Sequence, residues 1–161
     1  MKVTKESGFK YTEYSSIDEL SNEDSRLVNL AIEAQQGSYS PYSHFSVGAA
    51  VLLENGEIIQ GSNQENGAYP SGLCAERVAL FYAGAKYPNI PVKTIVVTAS
   101  FKGILTDDPI PPCGACRQVM IETREIGKKA LKAILVGKRK IYEIEDVSYL
   151  LPFSFSSDMM R

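Results

Sequence analysis

Cys74 and the Cys113-x-x-Cys116 pair place the first restriction on how this chain of 161 residues can fold. An odd number of cysteines argues against a disulfide framework, and a Cys-x-x-Cys pair is typical of metal or redox chemistry. Cys113 and Cys116 lie three residues apart at a predicted helix start and therefore share one helix face, whereas Cys74 opens a different helix. The three thiolates can bind one metal only if the fold brings two helix starts together.

The hydrophobic pattern predicts an α/β fold with a mixed five-stranded sheet and helices on both of its faces. Apolar residues recur at helical spacing in three segments: residues 21–37, 74–86 and 114–127. Five runs are predicted as strands: residues 47–53, 57–61, 92–99, 131–136 and 140–144. The links at 55–56 and 137–139 are short, so the strands that flank each link are predicted to pair antiparallel. A brief helical turn is predicted at residues 147–151.

Zinc is the metal that best suits three thiolates at two helix starts. The positive ends of the helix dipoles stabilise the ionised sulfurs. Three protein ligands leave the fourth position open for water, as in catalytic zinc sites, whereas structural sites are normally closed by four ligands. Glu76, two residues after Cys74, would lie near this metal without being needed as a ligand. We predict that Glu76 moves protons.

Two simpler interpretations of the cysteines remain open. His44, the only histidine in the chain, could complete a structural site of three cysteines and one histidine. The cysteines could also be unligated core residues, since free cysteine is often buried. The first interpretation leaves Glu76 unused, and the second does not explain why all three cysteines lie at helix starts.

The overall charge favours a small ligand over a polymer. A net charge of -2 and a pI near 5.5 provide no basic surface for a phosphate backbone. No run approaches the roughly 18 apolar residues of a membrane span, and the first residues lack the apolar core of a signal peptide. We therefore expect a cytoplasmic protein with a small-molecule substrate and with neither a nucleic-acid nor a membrane partner.

Cys74-Ala75-Glu76 and Pro112-Cys113-Gly114-Ala115-Cys116 together resemble the zinc signature of the cytidine deaminases. The resemblance to the small, homotetrameric members of that family extends over about residues 25–155. It implies a three-layer α-β-α fold. The length predicts a single domain over residues 1–161, in which residues 1–20, which do not match the family, form an N-terminal extension. The resemblance also implies a hydrolase of pyrimidine salvage that holds one Zn²⁺ per subunit and converts cytidine and 2'-deoxycytidine to uridine and 2'-deoxyuridine plus ammonia.

The resemblance also assigns roles to individual residues. In this family a zinc-activated water attacks C4 of cytosine, and the residue that matches Glu76 carries the proton to N3 and to the departing amine. The further implied roles are pyrimidine packing for Phe45, ribose binding for Asn63 and Glu65, substrate contacts for Tyr69 and Ala75, a contact of Phe155 with a neighbouring subunit's site, and hydrogen bonds from Arg77 to the thiolates. Without the resemblance, Phe45 would be predicted as a core residue and Asn63 and Glu65 as loop residues.

Two other classes of function remain open from the sequence. A zinc-stabilised binding module without catalysis predicts a site closed by four protein ligands. A deaminase that acts on a cytosine-containing antibiotic, or on a base within a nucleic acid, keeps the same chemistry. Asn63 and Glu65, which suit a free ribose, and the acidic net charge disfavour this third function. We therefore expect a pyrimidine nucleoside as the substrate.

Overall fold

The computed structural model describes residues 2–160, apart from the side chain of Asp158. Met1 and Arg161, which the predicted domain includes, lie outside the described residues. In chain order the elements are β1 (Thr12–Tyr14), α1 (Asn22–Ala34), β2 (Phe45–Leu53), β3 (Ile58–Ser62), α2 (Ala75–Lys86), β4 (Val92–Phe101), β5 (Ile104–Leu105), α3 (Gly114–Gly127), β6 (Lys132–Val136) and β7 (Ile141–Ile144). Short 3-10 turns lie at Ile17–Glu19, Gln35–Gly37, Tyr69–Ser71, Val147–Leu150 and Ser157–Met160. We call the turn at Val147–Leu150 the closing turn.

The strands form one mixed sheet in the order β1-β7-β6-β4-β2-β3, with β5 paired to β4. The β4–β6 pair is parallel and is connected through α3, and the other pairs are antiparallel. The two predicted antiparallel hairpins are the β2–β3 and β6–β7 pairs. The predicted α/β fold class and mixed sheet are therefore confirmed.

Alternate residues of β2 show how the sheet is covered on both faces. Ala49 and Val51 belong to the core beneath α2 and α3, whereas Ala50 and Leu52 belong to the core beneath α1. Successive side chains of a strand point to opposite faces, so a continuous apolar run is expected where both faces are buried. The result is three layers, with α1 on one side of the sheet and the two cysteine-bearing helices on the other. Each helix within residues 2–160 is too short or too polar to span a bilayer.

The predicted count of five strands is corrected to seven among the described residues. β1 and β5 were not predicted, because three and two residues are too few to show an alternating pattern. β5 forms a hairpin with the end of β4 around Lys102 and Gly103, which both have positive φ angles. β1 pairs with the edge of β7 and lies within the predicted N-terminal extension.

The predicted start of α1 and the predicted end of α3 are both confirmed. Ser21 caps α1 as expected, since its side chain accepts from the backbone N–H of Asp24. The third helix was predicted to stop at Gly127, and Gly127 is the last residue of α3, while Lys128 at φ 51° takes the left-handed cap position. A Cβ at position 127 would lie 3.2 Å from Pro91 Cβ, so a larger residue there would require Pro91 to shift by a few tenths of an ångström.

Candidate metal centre and active site

The starts of α2 and α3 bring the three cysteine sulfurs together. Cys74 is the N-cap residue of α2, Cys113 is the N-cap residue of α3, and Cys116 lies one turn into α3. Their Sγ atoms all lie within 4.8 Å of one another. The Cys74–Cys113 distance is 3.9 Å and the Cys113–Cys116 distance is 3.5 Å. Two helices that follow different strands therefore point their N-terminal ends at one place.

This sulfur triangle has the dimensions of a zinc site. A tetrahedral zinc with Zn–S bonds of about 2.3 Å separates its thiolates by about 3.8 Å. These two separations lie on either side of that value, and the third pair lies within the 4.8 Å that bounds all three, so the triangle is of the right size for zinc. Within residues 2–157 and 159–160, no further histidine, cysteine or carboxylate joins the group. His44 is a turn residue with φ 55° and is not the fourth ligand that a closed structural site would require.

The polar surroundings favour a negatively charged sulfur at Cys74. A hydrogen bond from the Cys116 thiol, opposed by burial and supported by Arg77, lowers the pKa of Cys74 to about 5. The same contact with Cys74, together with burial, raises the pKa of Cys116. Nη2 of Arg77 lies 3.6 Å from Cys74 Sγ, and its buried Nε has no hydrogen-bond partner among the described residues. Arg77 therefore supplies positive charge beside the thiolates.

Glu76 lies in the first turn of α2, and its side chain is only 4% exposed. Burial raises the pKa of its carboxyl group, and the charge of Cys74 acts in the same direction, while a backbone hydrogen bond opposes them. A buried carboxyl group next to a metal site, with its pKa raised in this way, is suited to general acid-base catalysis.

A cavity of about 790 Å³ opens above the sulfurs. This volume is within the range of small-molecule sites. Its lining includes these predicted site residues: Phe45, Asn63, Glu65, Tyr69, Cys74, Glu76, Arg77 and Cys113. The other predicted residues, Ala75, Cys116 and Phe155, are not in its described lining. Ala75 and Cys116 are buried, whereas Phe155 is half exposed and its carbonyl accepts from Gln118 at 2.9 Å.

The comparison with known proteins decides the family. Residues 21–131 match the family model described as the cytidine and deoxycytidylate deaminase zinc-binding region. The chain belongs to this deaminase family. The match includes the three cysteines and Glu76 and begins just after the predicted extension.

Similar proteins and structures carry related names. A cytidine deaminase from Halalkalibacterium halodurans is 45% identical over 84% of this chain and 96% of its own length. A cytidine deaminase from Sporosarcina psychrophila is 38% identical over 83% of this chain and 91% of its own length. The crystal structure of cytidine deaminase from Burkholderia pseudomallei gives a TM-score of 0.72 at 37% identity, covering 84% of this chain and 100% of that one.

The two predicted ribose-binding residues of this deaminase domain also hold the cavity wall in place. The Glu65 carboxylate accepts from the backbone N–H of Tyr42 at 3.0 Å and from the hydroxyl of Ser43. The Ser43 hydroxyl bond, which outweighs desolvation, lowers the pKa of Glu65. Asn63 accepts through Oδ1 from Ser38 Oγ at 2.6 Å and from Val47 N at 2.8 Å. The side chains of Asn63 and Glu65 therefore attach the loop before β2 to the cavity lining through hydrogen bonds.

Sequence reasoning missed the structural roles of Ser38 and Ser43 at this site. Asn63 also donates from Nδ2 to the carbonyl of Phe45 at 2.9 Å, which leaves one amide N–H of Asn63 for another acceptor. The available signal was the concentration of serines just before Phe45, because serine hydroxyls often bond to nearby loop groups.

Proposed function

We propose that this chain catalyses the hydrolytic deamination of cytidine and 2'-deoxycytidine to uridine and 2'-deoxyuridine, with release of ammonia. The observation that carries the proposal is the combination of three zinc-spaced cysteine sulfurs with a buried glutamate at one cavity. Three protein ligands leave a fourth position for water, and that arrangement is typical of catalytic rather than structural zinc. Relatives named cytidine deaminase, at 45% and 38% identity, support the choice of substrate.

The proposed mechanism assigns the proton transfers to Glu76. When bound, zinc supplies a Lewis acid that lowers the pKa of a water molecule at the open position. Glu76 would take one proton from the attacking water and deliver it to ring nitrogen N3. It would then take the proton of the hydroxyl formed at C4 and deliver it to the amine, so that a C4 carbonyl forms as the C4–N bond breaks. Water adds at C4 and ammonia departs, so atoms and charge balance. Burial of Glu76 keeps bulk water away from the carried proton.

Arg77 is proposed to compensate the charge of the site. Three thiolates and one Zn²⁺ have a net charge of -1, which opposes the ionisation of a nearby water molecule. The guanidinium of Arg77 reaches Cys74 and offsets part of that charge. The N-terminal ends of α2 and α3 act in the same direction.

Substrate binding is proposed for the residues around the rest of the cavity. Phe45 would pack against the pyrimidine, and Asn63 and Glu65 would bind ribose hydroxyls through the free amide N–H of Asn63 and the carboxylate of Glu65. Tyr69 and Ala75 are proposed to complete the substrate contacts. The presence of Phe45, Asn63, Glu65 and Tyr69 in the lining of the same cavity supports this assignment.

The active form is proposed to be a homotetramer in which a neighbouring subunit closes each site. Cys113 is exposed in the single chain, and Phe155 lies outside the lining of its own chain's cavity. A neighbour that covers Cys113 would exclude bulk water from the metal, and Phe155 would reach a neighbouring site. Light scattering should give the mass of four chains. The cytoplasmic location and the role in pyrimidine salvage stay predictions.

The test of the proposed function is the ultraviolet absorbance of cytidine incubated with purified protein of known zinc content. A Glu76→Ala variant is the control. Conversion to uridine with one zinc per chain, lost in the control, would support reaction, metal and catalytic residue together. Full zinc occupancy without turnover would favour another cytosine-containing substrate. A metal with four protein ligands, seen by X-ray absorption, would contradict an enzymatic role.

A further inference from the structure

The three cysteines are held in place by different means. Cys116 is fully buried in the core beneath α3. Cys74 is partly buried, and its sulfur accepts a hydrogen bond from Arg77. Cys113 is exposed, and its side chain makes no capping hydrogen bond at the start of α3. Packing therefore does not by itself determine where the Cys113 sulfur lies.

The backbone before Cys113 has few ways to be anchored. Pro111 and Pro112 have no backbone N–H, so only their carbonyl groups can form main-chain hydrogen bonds. Arg117 binds the second of these carbonyls, since its Nε donates to Pro112 O at 2.8 Å. The backbone N–H of Arg117 also donates to Cys113 O at 3.0 Å. Two successive carbonyls next to the Cys113 side chain are therefore bound by the same residue.

The other arm of Arg117 is attached to a second part of the chain. Its Nη1 donates to Leu150 O at 2.9 Å. Leu150 is buried at the end of the closing turn, which is itself capped by Asp146. The planar guanidinium presents its donors in a rigid fork, so two bonds in different directions hold the group more firmly than one. Arg117 thus spans the Cys113 loop and the closing turn.

We infer that Arg117 is a positioning residue of the metal centre, which keeps the Cys113 sulfur within reach of the other two thiolates. Its side chain acts through the carbonyls of Pro112 and Leu150, and it is not among the described residues that line the cavity. This inference rests on the zinc centre of the proposed function. Residues that orient metal ligands usually contribute about 10- to 100-fold to metal affinity. Loss of Arg117 should therefore weaken zinc binding by about that factor.

The experiment measures the rate at which purified zinc-loaded protein releases zinc to an excess of a chromophoric chelator. Arg117→Met removes both side-chain hydrogen bonds while keeping an apolar side chain of similar length. We expect about 10- to 100-fold faster release than from the wild type. Arg117→Lys keeps the positive charge but cannot bind both carbonyls at once, so its release rate should fall between the two. The Arg117→Lys variant also tests the inference if Arg117→Met does not fold.

Arg124→Met is the matched control. Arg124 lies on the same helix and also anchors the closing turn, through Nε bonds of 2.8 and 2.9 Å to the Asp146 carboxylate. This variant loosens the closing turn without touching the Cys113 loop, and it should release zinc at nearly the wild-type rate. Equally fast zinc release from the Arg117→Met and Arg124→Met variants would overturn the inference. General loosening of the closing turn would then explain the faster release.

A spectroscopic measurement distinguishes a displaced Cys113 sulfur from a general loss of protein stability. In cobalt-loaded protein, the thiolate-to-cobalt charge-transfer absorption should be weaker in Arg117→Met and unchanged in Arg124→Met. Identical spectra and release rates for wild type and Arg117→Met would overturn the role of Arg117 while leaving the zinc centre intact. A wild-type protein that bound no zinc would instead overturn the metal centre itself.

Discussion

Glu76 is the residue on which the proposed chemistry depends most directly. Glu76→Gln keeps the size and hydrogen-bonding capacity of the side chain but removes its ability to carry a proton. Since general acid-base catalysis contributes about 10²- to 10⁴-fold, kcat should fall by at least that factor. Absorbance assays measure the loss, and a chelator titration should still find one zinc per chain. A Glu76→Gln protein that loses its zinc would show that Glu76 is a ligand instead.

Arg77 supports a prediction about pH dependence. Removing its positive charge in Arg77→Gln makes the site more negative, and a more negative site disfavours further loss of protons. The group that must be deprotonated for activity then has a higher pKa, so the acidic limb of the pH-rate profile should move to higher pH. The control is Arg26→Gln, because Arg26 is an exposed residue of α1 on the opposite side of the sheet. An unmoved limb in Arg77→Gln would contradict the charge role.

At the scale of elements, the closing turn depends on one buried carboxylate. Asp146 accepts from Arg124 Nε and from Ser148 N at 2.9 Å. Burial raises the pKa of Asp146, but the bonds from Arg124 and Ser148 outweigh it and hold the pKa below its ordinary value of 3.8. The stability that these bonds contribute is therefore present above about pH 4 and is lost as the pH falls through the lowered pKa.

Asp146→Asn should remove this acid-sensitive contribution. At pH 7 the variant should be less stable by about 2 kcal/mol, the scale of a hydrogen bond to a charged group. On lowering the pH below 4, its stability should fall less steeply than that of the wild type. Urea unfolding at pH 7 and at a pH below 4 measures the free energy of unfolding of both proteins. Asp107→Asn, which alters an exposed ion pair with Arg139, should change little. Parallel acid losses in wild type and Asp146→Asn would contradict the prediction.

Short strands were the elements that the sequence did not reveal. β2, β4 and β6 were predicted because long apolar, β-branched runs suit buried strands. β1 and β5 are short and contain too little periodic information to be recognised. Each forms because an existing strand offers a free edge, β7 for one and the end of β4 for the other. Such pairing is a property of the assembled sheet rather than of the short segment.

At the scale of the whole molecule, residues 9–14 of the predicted N-terminal extension are docked onto the rest of the fold. β1 covers the edge of β7, and the ring of Phe9 stacks on Tyr149 in the closing turn at a centroid distance of 6.0 Å. Tyr11 meets Tyr142 of β7 edge-on at 5.0 Å. Uncovered strand edges are sites for unwanted pairing with other chains. The extension thus joins the closing turn to the edge of the sheet.

Deleting residues 2–15 should therefore cost stability and uncover β7. The two aromatic contacts together should contribute about 1–3 kcal/mol, measured by urea unfolding. Amide exchange at residues 141–144 should become faster, because the outer edge of β7 loses its partner strand. Deletion of residues 2–7 alone is the control, since these residues are exposed and precede Phe9. Unchanged exchange in the longer deletion would show that β1 does not protect the edge.

The sequence by itself determined the features that depend on residues close together in the chain, such as helix positions and the spacing of the metal ligands. Helical periodicity placed α2, the prolines before Cys113 placed the start of α3, and the spacing of Cys113 and Cys116 put both on one helix face. The predicted zinc chemistry followed from these local patterns together with Glu76. The positions of Phe45, Asn63 and Glu65 within the cavity wall remain predictions about substrate, although the structure brings them to the same cavity.

Only the tertiary structure decided which distant groups meet. The Cys74 sulfur reaches Cys113 because the sheet order sets α2 beside α3 on the same face. Arg117 meets the carbonyl of Leu150, 33 residues away, and Phe9 meets Tyr149 across almost the whole chain. Side-chain hydrogen bonds and ring contacts act over a few ångströms, so they depend on how the elements are arranged in space. Local sequence patterns carry no direct record of that arrangement.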